Sequence, residues 1–470
     1  MEAAVGIIYV DLDRTLVRID LLEERLLLAL HSNPLLAFRA AGWLLNGGRE
    51  RLKTEMARRC TIDVASLPFN ENLIQFLQEK QRTGAHLVLA TAAPLTWGQA
   101  VADHLGIFDR VLATDASHGN LKGERKLAVI LKDADGQPFG YAGDAPSDRP
   151  ILEAAQLPIV VGTRAELAGK RASSAVVISG KSKEGQSWWK SLRPHQWSKN
   201  LLIFTPLIAA HQWSTIWPQG ILAFIAFSMV ASAFYLLNDF CDIDLDRQHP
   251  DKRRRAQAAG VLNPFLALAI AILLVLDAAA VSIFLPWNYT IILLCYGAIN
   301  FLYSSRLKKI VVMDLITLSF FYTLRVFAGA AACGVIVSTW LFAFIFFFAG
   351  SLAHLKRYTE LNQRIRIGIG AAARPTYQVE DTMLILIAGL GSGLLSVLVL
   401  SLYVTAPQTT SLYQTPSLLF LVCLFLFYWI ERIWFLASRD RVHGDPIVFM
   451  VTDSVSYLIG LATLAIFWLA

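Results

Sequence analysis

The sequence predicts a two-domain chain, an N-terminal α/β domain with a helical insertion followed by an all-α membrane domain of about nine transmembrane helices. Three observations predict it. Residues 1 to about 180 mix charged and apolar residues, and their short strand-like runs end in acids. From Asn200 onward long apolar runs dominate. Between the two, residues 163 to 190 are rich in Ala, Ser, Gly and Lys, the composition of a flexible linker. The averages, 55% hydrophobic, 17% charged and a mean hydropathy of +0.49, are too apolar for one soluble protein and hide this division. The boundaries read as 1–180 for the first domain, 181–198 for a linker and interfacial segment, and 199–470 for the membrane domain. A net charge of +6 would suit nucleic acid, but the cations gather beside apolar runs, so a bilayer surface is expected and nucleic acid is not. Cys60, Cys241, Cys295, Cys333 and Cys423 are scattered without metal-ligand spacing and read as reduced packing residues. No signal-peptide pattern precedes the first strand, which predicts a cytoplasmic first domain.

In that domain Val5 to Val10 reads as a strand running into Asp11-Leu12-Asp13-Arg14-Thr15. Two acids just past a strand end lie where open α/β sheets keep their active sites. Residues from Leu16 to about Gly84 are mainly helical in pattern, an insertion expected to set substrate choice. A second strand, His86 to Ala90, ends at Thr91, whose hydroxyl can meet a phosphoryl oxygen. Lys126 opens a helical run, KLAVILK, and a further strand from Phe139 to Ala142 leads into Gly143-Asp144-Ala145-Pro146-Ser147-Asp148.

DxDxT, the strand-end Thr, a Lys before a helix and GDxxxD, in this order, resemble the haloacid dehalogenase (HAD) superfamily, a Rossmannoid fold with a cap inserted at about 16–84. The resemblance implies that Asp11 is a nucleophile forming an aspartyl-phosphate and Asp13 its general acid/base. Thr91 and Lys126 would hold the phosphoryl oxygens, with Lys122 the other choice for the lysine. Asp144, with Asp11 and flanked by Asp13 and Asp148, would bind Mg²⁺. A carboxylate nucleophile near phosphate needs such cations to offset their mutual repulsion. Arg14 stands where that family often has Gly.

Beyond the linker, Trp188, Trp189 and Trp197 alternate with Lys190, Arg193 and Lys199, the pattern of a segment at the headgroup level. Nine apolar spans follow, at roughly 199–214, 217–238, 263–285, 288–305, 311–332, 336–355, 382–404, 416–437 and 452–469. With the first domain in the cytoplasm, the loops after spans two, four, six and eight are also cytoplasmic. These contain Lys252 to Arg255, Arg306 to Lys309, Lys356 to Arg374 and Arg439 to Arg441, whereas the outer connection 405–415 has no Lys or Arg. That distribution obeys the positive-inside rule.

The stretch from Asn238 to Arg255, NDFCDIDLDRQHPDKRRR, is where chemistry is expected. Asp239, Asp242 and Asp246 fall at i, i+3 and i+7, so a helix sets three carboxylates on one face. Such a face needs a cation, and hard oxygen ligands suit Mg²⁺ carrying a substrate diphosphate. Asp314 and Arg325 lie eleven residues apart, about three helical turns, on one face of span five. Charge at that depth usually lines a cavity, although Arg325 alone could also snorkel to the outer headgroups. Tyr303, Ser304 and Lys308 precede them, and Lys356, Arg357 and Glu360 end span six.

NDxxDxxxDxxHP within nine spans resembles the UbiA superfamily of intramembrane prenyltransferases. LRPHQWSKN before span one, YSxxLKxxxxxD, and the later LR and AG look like its decaprenyl-phosphate phosphoribosyltransferase branch, members of which also occur fused to a HAD domain. Ala256 departs from that pattern, where relatives usually continue the basic run with Pro. The branch implies attack of a polyprenyl phosphate on C1 of 5-phosphoribosyl diphosphate (PRPP), with diphosphate leaving. By that resemblance Asn238, Asp239, Asp242 and Asp246 hold Mg²⁺ and diphosphate, and Asp314 orients the sugar or a second cation. Lys252, Arg253, Tyr303, Lys308, Arg325, Lys356 and Arg357 would contact substrate. The HAD domain is expected to dephosphorylate the product. The alternative is prenyl transfer from a polyprenyl diphosphate to an aromatic acceptor; a transporter or lipid-binding scaffold with an inactive HAD module is the reading from another class. Transporters commonly show internal repeats, and none is visible here. The expected setting is a bacterial cytoplasmic (inner) membrane, with both sites on the cytoplasmic side and a second copy of the chain admitted among the partners.

Overall fold

The computed structural model describes residues 5–33, 35–114, 119–162, 173–178, 188–209, 217–249, 252–367, 376–406, 413–442 and 446–470. Most of the expected linker (163–172 and 179–187), Pro250 of the NDxxDxxxDxxHP pattern, 368–375 of the loop after span six and 407–412 of the outer connection lie outside the described residues. The chain divides into two compact units, Met1–Leu192 with Tyr235–Ile270, and Arg193–Phe234 with Ala271–Ala470.

The first unit is built on a six-stranded, all-parallel sheet in the order β3-β2-β1-β4-β5-β6. Its strands are β1 (Ile7–Val10), β2 (His86–Pro94), β3 (Arg110–Thr114), β4 (Phe139–Gly143), β5 (Leu157–Val161) and β6 (Val176–Ile178). Side chains alternate between two faces, as period two requires. Ile8, Val10, Leu87 and Leu89 enter one core with Trp97 and Val101, while Tyr9, Val88, Ala90 and Tyr141 enter another with Ile130 and Ile151. Between β1 and β2 lie α1 (Leu21–Ser32), α2 (Leu36–Leu45), α3 (Gly48–Arg59) and α4 (Glu71–Arg82), the helical insertion that the sequence predicts. Asp20 caps α1 by accepting from the Glu23 N–H at 3.0 Å, and Asn70 caps α4 through Leu73. Later crossovers are α5 (Leu95–Leu105), α6 (Glu124–Ala134) and α7 (Arg149–Ala154). The strand order reverses between β1 and β4, so the chain leaves both strand ends beside one crevice, where open α/β sheets bind ligands.

The helices continue with α8 (Thr205–Ala209), α9 (Trp217–Cys241), α10 (Ile243–Gln248), α11 (Pro264–Ser282), α12 (Trp287–Ser305), α13 (Met313–Cys333), α14 (Thr339–Ile367), α15 (Thr382–Val404), α16 (Leu419–Ser438), α17 (Pro446–Thr452) and α18 (Ser454–Leu469). Among the described residues six of these are long and apolar enough to cross a membrane: α9, α11, α13, α14, α15 with its leading turn, and α16 with its own. The expectation of nine spans is therefore not met by that measure. The first span resolves into a 3-10 helix, Pro194–Phe204, followed by the five-residue α8, and α18 has only 16 residues. At about 1.5 Å per residue, 16 residues cover roughly 24 Å, short of a hydrocarbon core of about 30 Å.

Within the second unit, packing relies on small residues and on tryptophans whose N–H groups find partners. A Cβ on Gly329 would lie 1.8 Å from the Ile203 carbonyl oxygen, and one on Gly389 would lie 2.4 Å from the Trp434 ring. Only glycine permits such approaches between helices without lipid or water between them. Trp434 donates to Ser351 at 3.1 Å, Trp429 to Ser456 at 2.8 Å and Trp197 to Ser232 at 3.0 Å. Trp197 is thereby tied to α9.

Candidate functional sites

At the end of β1, Asp11 is fixed by its own N–H, which donates to the Ala142 carbonyl of β4 at 2.9 Å. Asp11, Asp144 and Asp148 present carboxylate oxygens that all lie within 4.8 Å of one another, the one such group of three found among the described residues. Thr15 donates to Asp144 at 3.1 Å and the Ala145 N–H donates to Asp148 at 3.4 Å. Gly143 is required by closeness, since a Cβ there would sit 2.8 Å from an Asp148 oxygen. Lys126, in the first turn of α6, reaches Asp11 at 2.8 Å, the Tyr141 hydroxyl at 2.9 Å and Asp148 at 3.9 Å. Lys122 is exposed and outside this group. The Thr91 hydroxyl accepts from the Ala93 N–H at 2.9 Å, at the irregularity of β2.

The electrostatics follow from burying like charges together. Burial, and then Asp11 and Asp148, push the Asp144 carboxyl up to about 7. Burial also pushes up Asp148, with Asp11 adding to it and Lys126 opposing. Asp13 is pushed up to about 8, first by burial and then by Asp20, although the Leu21 N–H donates to it at 3.0 Å. Burial pulls Lys126 down, but the surrounding acids, Asp11 first, outweigh it and its pKa rises. The cluster gathers more acid than one lysine offsets, and its donors are the hard oxygens that a Mg²⁺-sized cation takes. Asp11, Asp144 and Asp148 fit such an ion.

Two features of this site were not legible as chemistry. Arg14 has φ +58°, a left-handed conformation that costs a non-glycine residue energy, which gives a physical reason for glycine at this position in similar proteins. Lys53 of α3 donates to the Ala92 carbonyl at 2.6 Å and to Asn120 at 3.2 Å, tying the insertion to the end of β2. Burial lowers its pKa, while Asp13 and Asp20 oppose. Lysine on a polar helix gives no sequence signal of this.

The Asp-rich stretch does not run as one helix. α9 ends at Cys241, Asp242 is the N-cap residue of α10, and Asp246 lies within α10. The break keeps helical spacing, because the Asp242 N–H donates to Asn238 O at 2.9 Å and the Asp246 N–H to Asp242 O at 2.8 Å. Arg255 then folds back, and one guanidinium nitrogen stands 3.0 Å from Asp239 and 2.6 Å from Asp246. Burial raises the Asp246 pKa, against Arg255. Two carboxylates on this face thus share one cation. Lys252 and Arg253 sit in a 3-10 turn, Lys252–Arg254, before Arg255. Arg255 was not singled out, since nine residues separate it from Asp246 and the returning turn is closed by backbone bonds, Ala259 N–H to Arg255 O and Val261 N–H to the carbonyl of buried Ala256.

In the second unit Asp314 and Arg325 have separate partners, despite sharing a helix. Buried Asp314 accepts from Arg357 Nε at 2.9 Å and from the Tyr377 hydroxyl at 2.5 Å, and Arg357 also pairs with Glu360 at 2.5 Å. The Tyr377 hydroxyl accepts in turn from the N–H of Val312, whose φ of +67° is an outlier for a β-branched residue. Tyr377 is 63 residues from Asp314, too far for any local pattern to reveal. Arg325 is buried, not snorkelled: it donates to Asn200 at 2.8 Å and to Phe321 O at 2.6 Å, with its guanidinium 5.2 Å from the Phe227 ring centroid and 5.4 Å from that of Tyr296. Tyr303 lies edge-on to Phe321 in α13, and Lys308 and Lys356 lie in the turn before α13 and in α14.

Comparison with known proteins places both regions. A family model described as the UbiA prenyltransferase family matches residues 201–468, and one described as haloacid dehalogenase-like hydrolase matches residues 8–153. An uncharacterized protein of Sinorhizobium fredii is 33% identical over 96% of this chain and 88% of its own length. Nodulation protein NoeC of Azorhizobium caulinodans is 31% identical over 59% of this chain and 91% of its own. The decaprenyl-phosphate phosphoribosyltransferase of Mycolicibacterium smegmatis is 34% identical over 38% of this chain and 58% of its own.

Proposed function

We propose a reaction for a chain that belongs to the UbiA prenyltransferase family and carries a HAD-like hydrolase domain: transfer of 5-phosphoribose from PRPP to a polyprenyl phosphate. The observation that carries this choice is the similarity, at 34% identity, to enzymes named decaprenyl-phosphate phosphoribosyltransferase. A phosphate oxygen of the lipid attacks C1 of the sugar as the bond from C1 to the diphosphate oxygen breaks, so charge builds on the departing diphosphate. Bound at the carboxylates, Mg²⁺ would neutralise part of that charge. Asn238, Asp239, Asp242 and Asp246 would hold the metal and the diphosphate. Arg255, here paired with Asp239 and Asp246, would turn to the leaving group once a metal takes its place. Lys252 and Arg253, beside these acids, are assigned to phosphate, and in the second unit Lys308 and Lys356 are assigned to phosphate, Tyr303 and Arg325 to substrate contact, and Asp314, steadied by Arg357 and Tyr377, to the sugar.

The HAD-like site supplies a second step on the same product. Asp11 attacks the 5-phosphate, Lys126 and Thr91 steady the phosphoryl oxygens, and Asp13 gives its proton to the leaving oxygen and later takes one from water. Asp144 and Asp148, with Asp11, would hold the cation. The setting is an inner membrane, with the basic loops and the HAD-like domain in the cytoplasm.

The test is incubation of the purified protein in detergent with Mg²⁺, labelled PRPP and a polyprenyl phosphate. Label should pass to the lipid fraction, with diphosphate released only when the polyprenyl phosphate is present. Diphosphate release that instead requires a polyprenyl diphosphate and 4-hydroxybenzoate would identify aromatic prenylation as the reaction.

A further inference from the structure

Helix α1 touches two sets of functional residues at once. Its first turn closes on the DxD loop, where the Leu21 N–H donates to Asp13 at 3.0 Å and Glu23 accepts from Arg14 at 2.7 Å. The same Glu23 oxygen accepts from Asn263 at 3.0 Å, and Asn263 caps α11 by accepting from the Phe265 N–H at 2.8 Å. The next residue, Glu24, is fully buried and takes both terminal nitrogens of Arg247 in α10 at 2.8 Å each. Arg25 makes a second two-pronged pair, with Asp244, at 2.9 and 2.8 Å. Gly260, at φ +70°, passes so near that a Cβ would lie 2.9 Å from the Arg18 side chain.

The order of signs makes this contact specific. Glu24 and Arg25 are adjacent, and they meet Arg247 and Asp244 with reversed charge, so sliding α10 by one turn of three residues would set Glu24 against Asp244 or Arg25 against Arg247. Buried ion pairs of this kind serve to fix register more than to add stability. We infer that α1 is a positioning element for the Asp-rich segment, holding α10 and residues 252–263 so that Asp242 and Asp246 stand ready for the metal-diphosphate. Transfer then depends on the N-terminal domain whether or not that domain hydrolyses anything. The role of Asp242 and Asp246 rests on the reaction proposed above; their placement by α1 does not.

The variant D244R sets three arginines together where half-exposed Asp244 meets buried Arg25 and Arg247, and the exchange R25D/D244R restores opposite charges between positions 25 and 244. In the full-length protein, D244R should speed amide hydrogen exchange over Asp242–Leu262 while the amides of β1 and β4 keep their protection. The KM for PRPP should rise about ten-fold, hydrolysis of p-nitrophenyl phosphate should be unchanged, and R25D/D244R should bring both exchange and KM back toward wild type. Exchange in D244R equal to wild type would overturn the inference, as would faster exchange or a raised KM that the double variant does not reverse. If the wild-type protein transfers nothing from PRPP, the reaction reading fails, and the exchange measurements alone decide whether α1 positions the segment.

Discussion

Lys126 Nζ stands 2.8 Å from Asp11 Oδ1, in a crevice where three carboxylates crowd together. Among the described residues the lysine is the cation that pairs with them, reaching both the expected nucleophile and, at 3.9 Å, Asp148. Replacing it by methionine removes a charge that would steady the phosphoryl oxygens, an effect worth about 10²–10³ in rate. Hydrolysis of p-nitrophenyl phosphate should fall by that factor in Lys126→Met and stay near wild type in Lys122→Met. The reverse order would move the role to Lys122.

Two acids of this site have raised pKa values that work in opposite directions with pH. Asp13, pushed up to about 8, keeps its proton at neutral pH and can act as an acid, so hydrolytic kcat should fall as pH rises through about 8. Asp144, pushed up to about 7, must lose its proton to bind a cation, so the Mg²⁺ concentration for half-maximal hydrolysis should increase as pH falls through about 7. Stability follows the same shifts. The folded chain holds these protons more tightly than an unfolded carboxyl of ordinary pKa 3.8, so their contribution is complete below that value and is lost as pH rises toward 7 to 8. Without divalent cation the first unit should melt at a lower temperature at pH 8 than at pH 5.5, and Mg²⁺ should raise the melting point more at pH 8. Equal melting points at both pH values would remove the shifts.

Arg255 holds the place of a cation between Asp239 and Asp246, which predicts how each partner fails. Asp239→Asn or Asp242→Asn should abolish transfer, and EDTA should do the same in wild type, with the helical far-ultraviolet spectrum retained in each case. Arg255→Ala should leave metal binding intact but slow departure of diphosphate, with kcat lower by about 10²-fold and the half-maximal Mg²⁺ concentration not raised. Unchanged activity in the Asp239 and Asp242 variants would remove these acids from the mechanism.

Much of the first unit was legible because its signals are local. Strand runs end in acids, so Asp11, Asp144 and Asp148 could be found from sequence, and the sheet brings them together by pairing β1 with β4. The membrane helices were also visible as apolar runs, but their ends were not: hydropathy alone does not distinguish the 3-10 segment Pro194–Phe204 from a span. What escaped were the partners set by tertiary return that no motif marks. Arg255 reaches Asp239 through a turn, Tyr377 reaches Asp314 across 63 residues, and Glu24 reaches Arg247 across 223. Charged residues in such positions look like solvated surface until the fold buries them.

The remaining prediction concerns the order of the two reactions. Phosphoribosyl transfer leaves a 5-phosphate on a lipid-linked sugar, a phosphate monoester, which is the substrate type that an aspartate nucleophile with a metal and a lysine is suited to cleave. Two such activities in one chain would raise the effective concentration of the product at the second site, provided the geometry lets it arrive. The Asp11→Asn variant removes the nucleophile, so 5-phosphorylated lipid should accumulate in it while wild type yields the dephosphorylated polyprenyl-phosphoryl ribose and inorganic phosphate. Labelling PRPP in the 5-phosphate follows this directly, since wild type should release the label as inorganic phosphate only after lipid product has formed. If wild type and Asp11→Asn retain the 5-phosphate equally in the presence of Mg²⁺, the HAD-like site acts on another phosphate ester and the two reactions are not sequential.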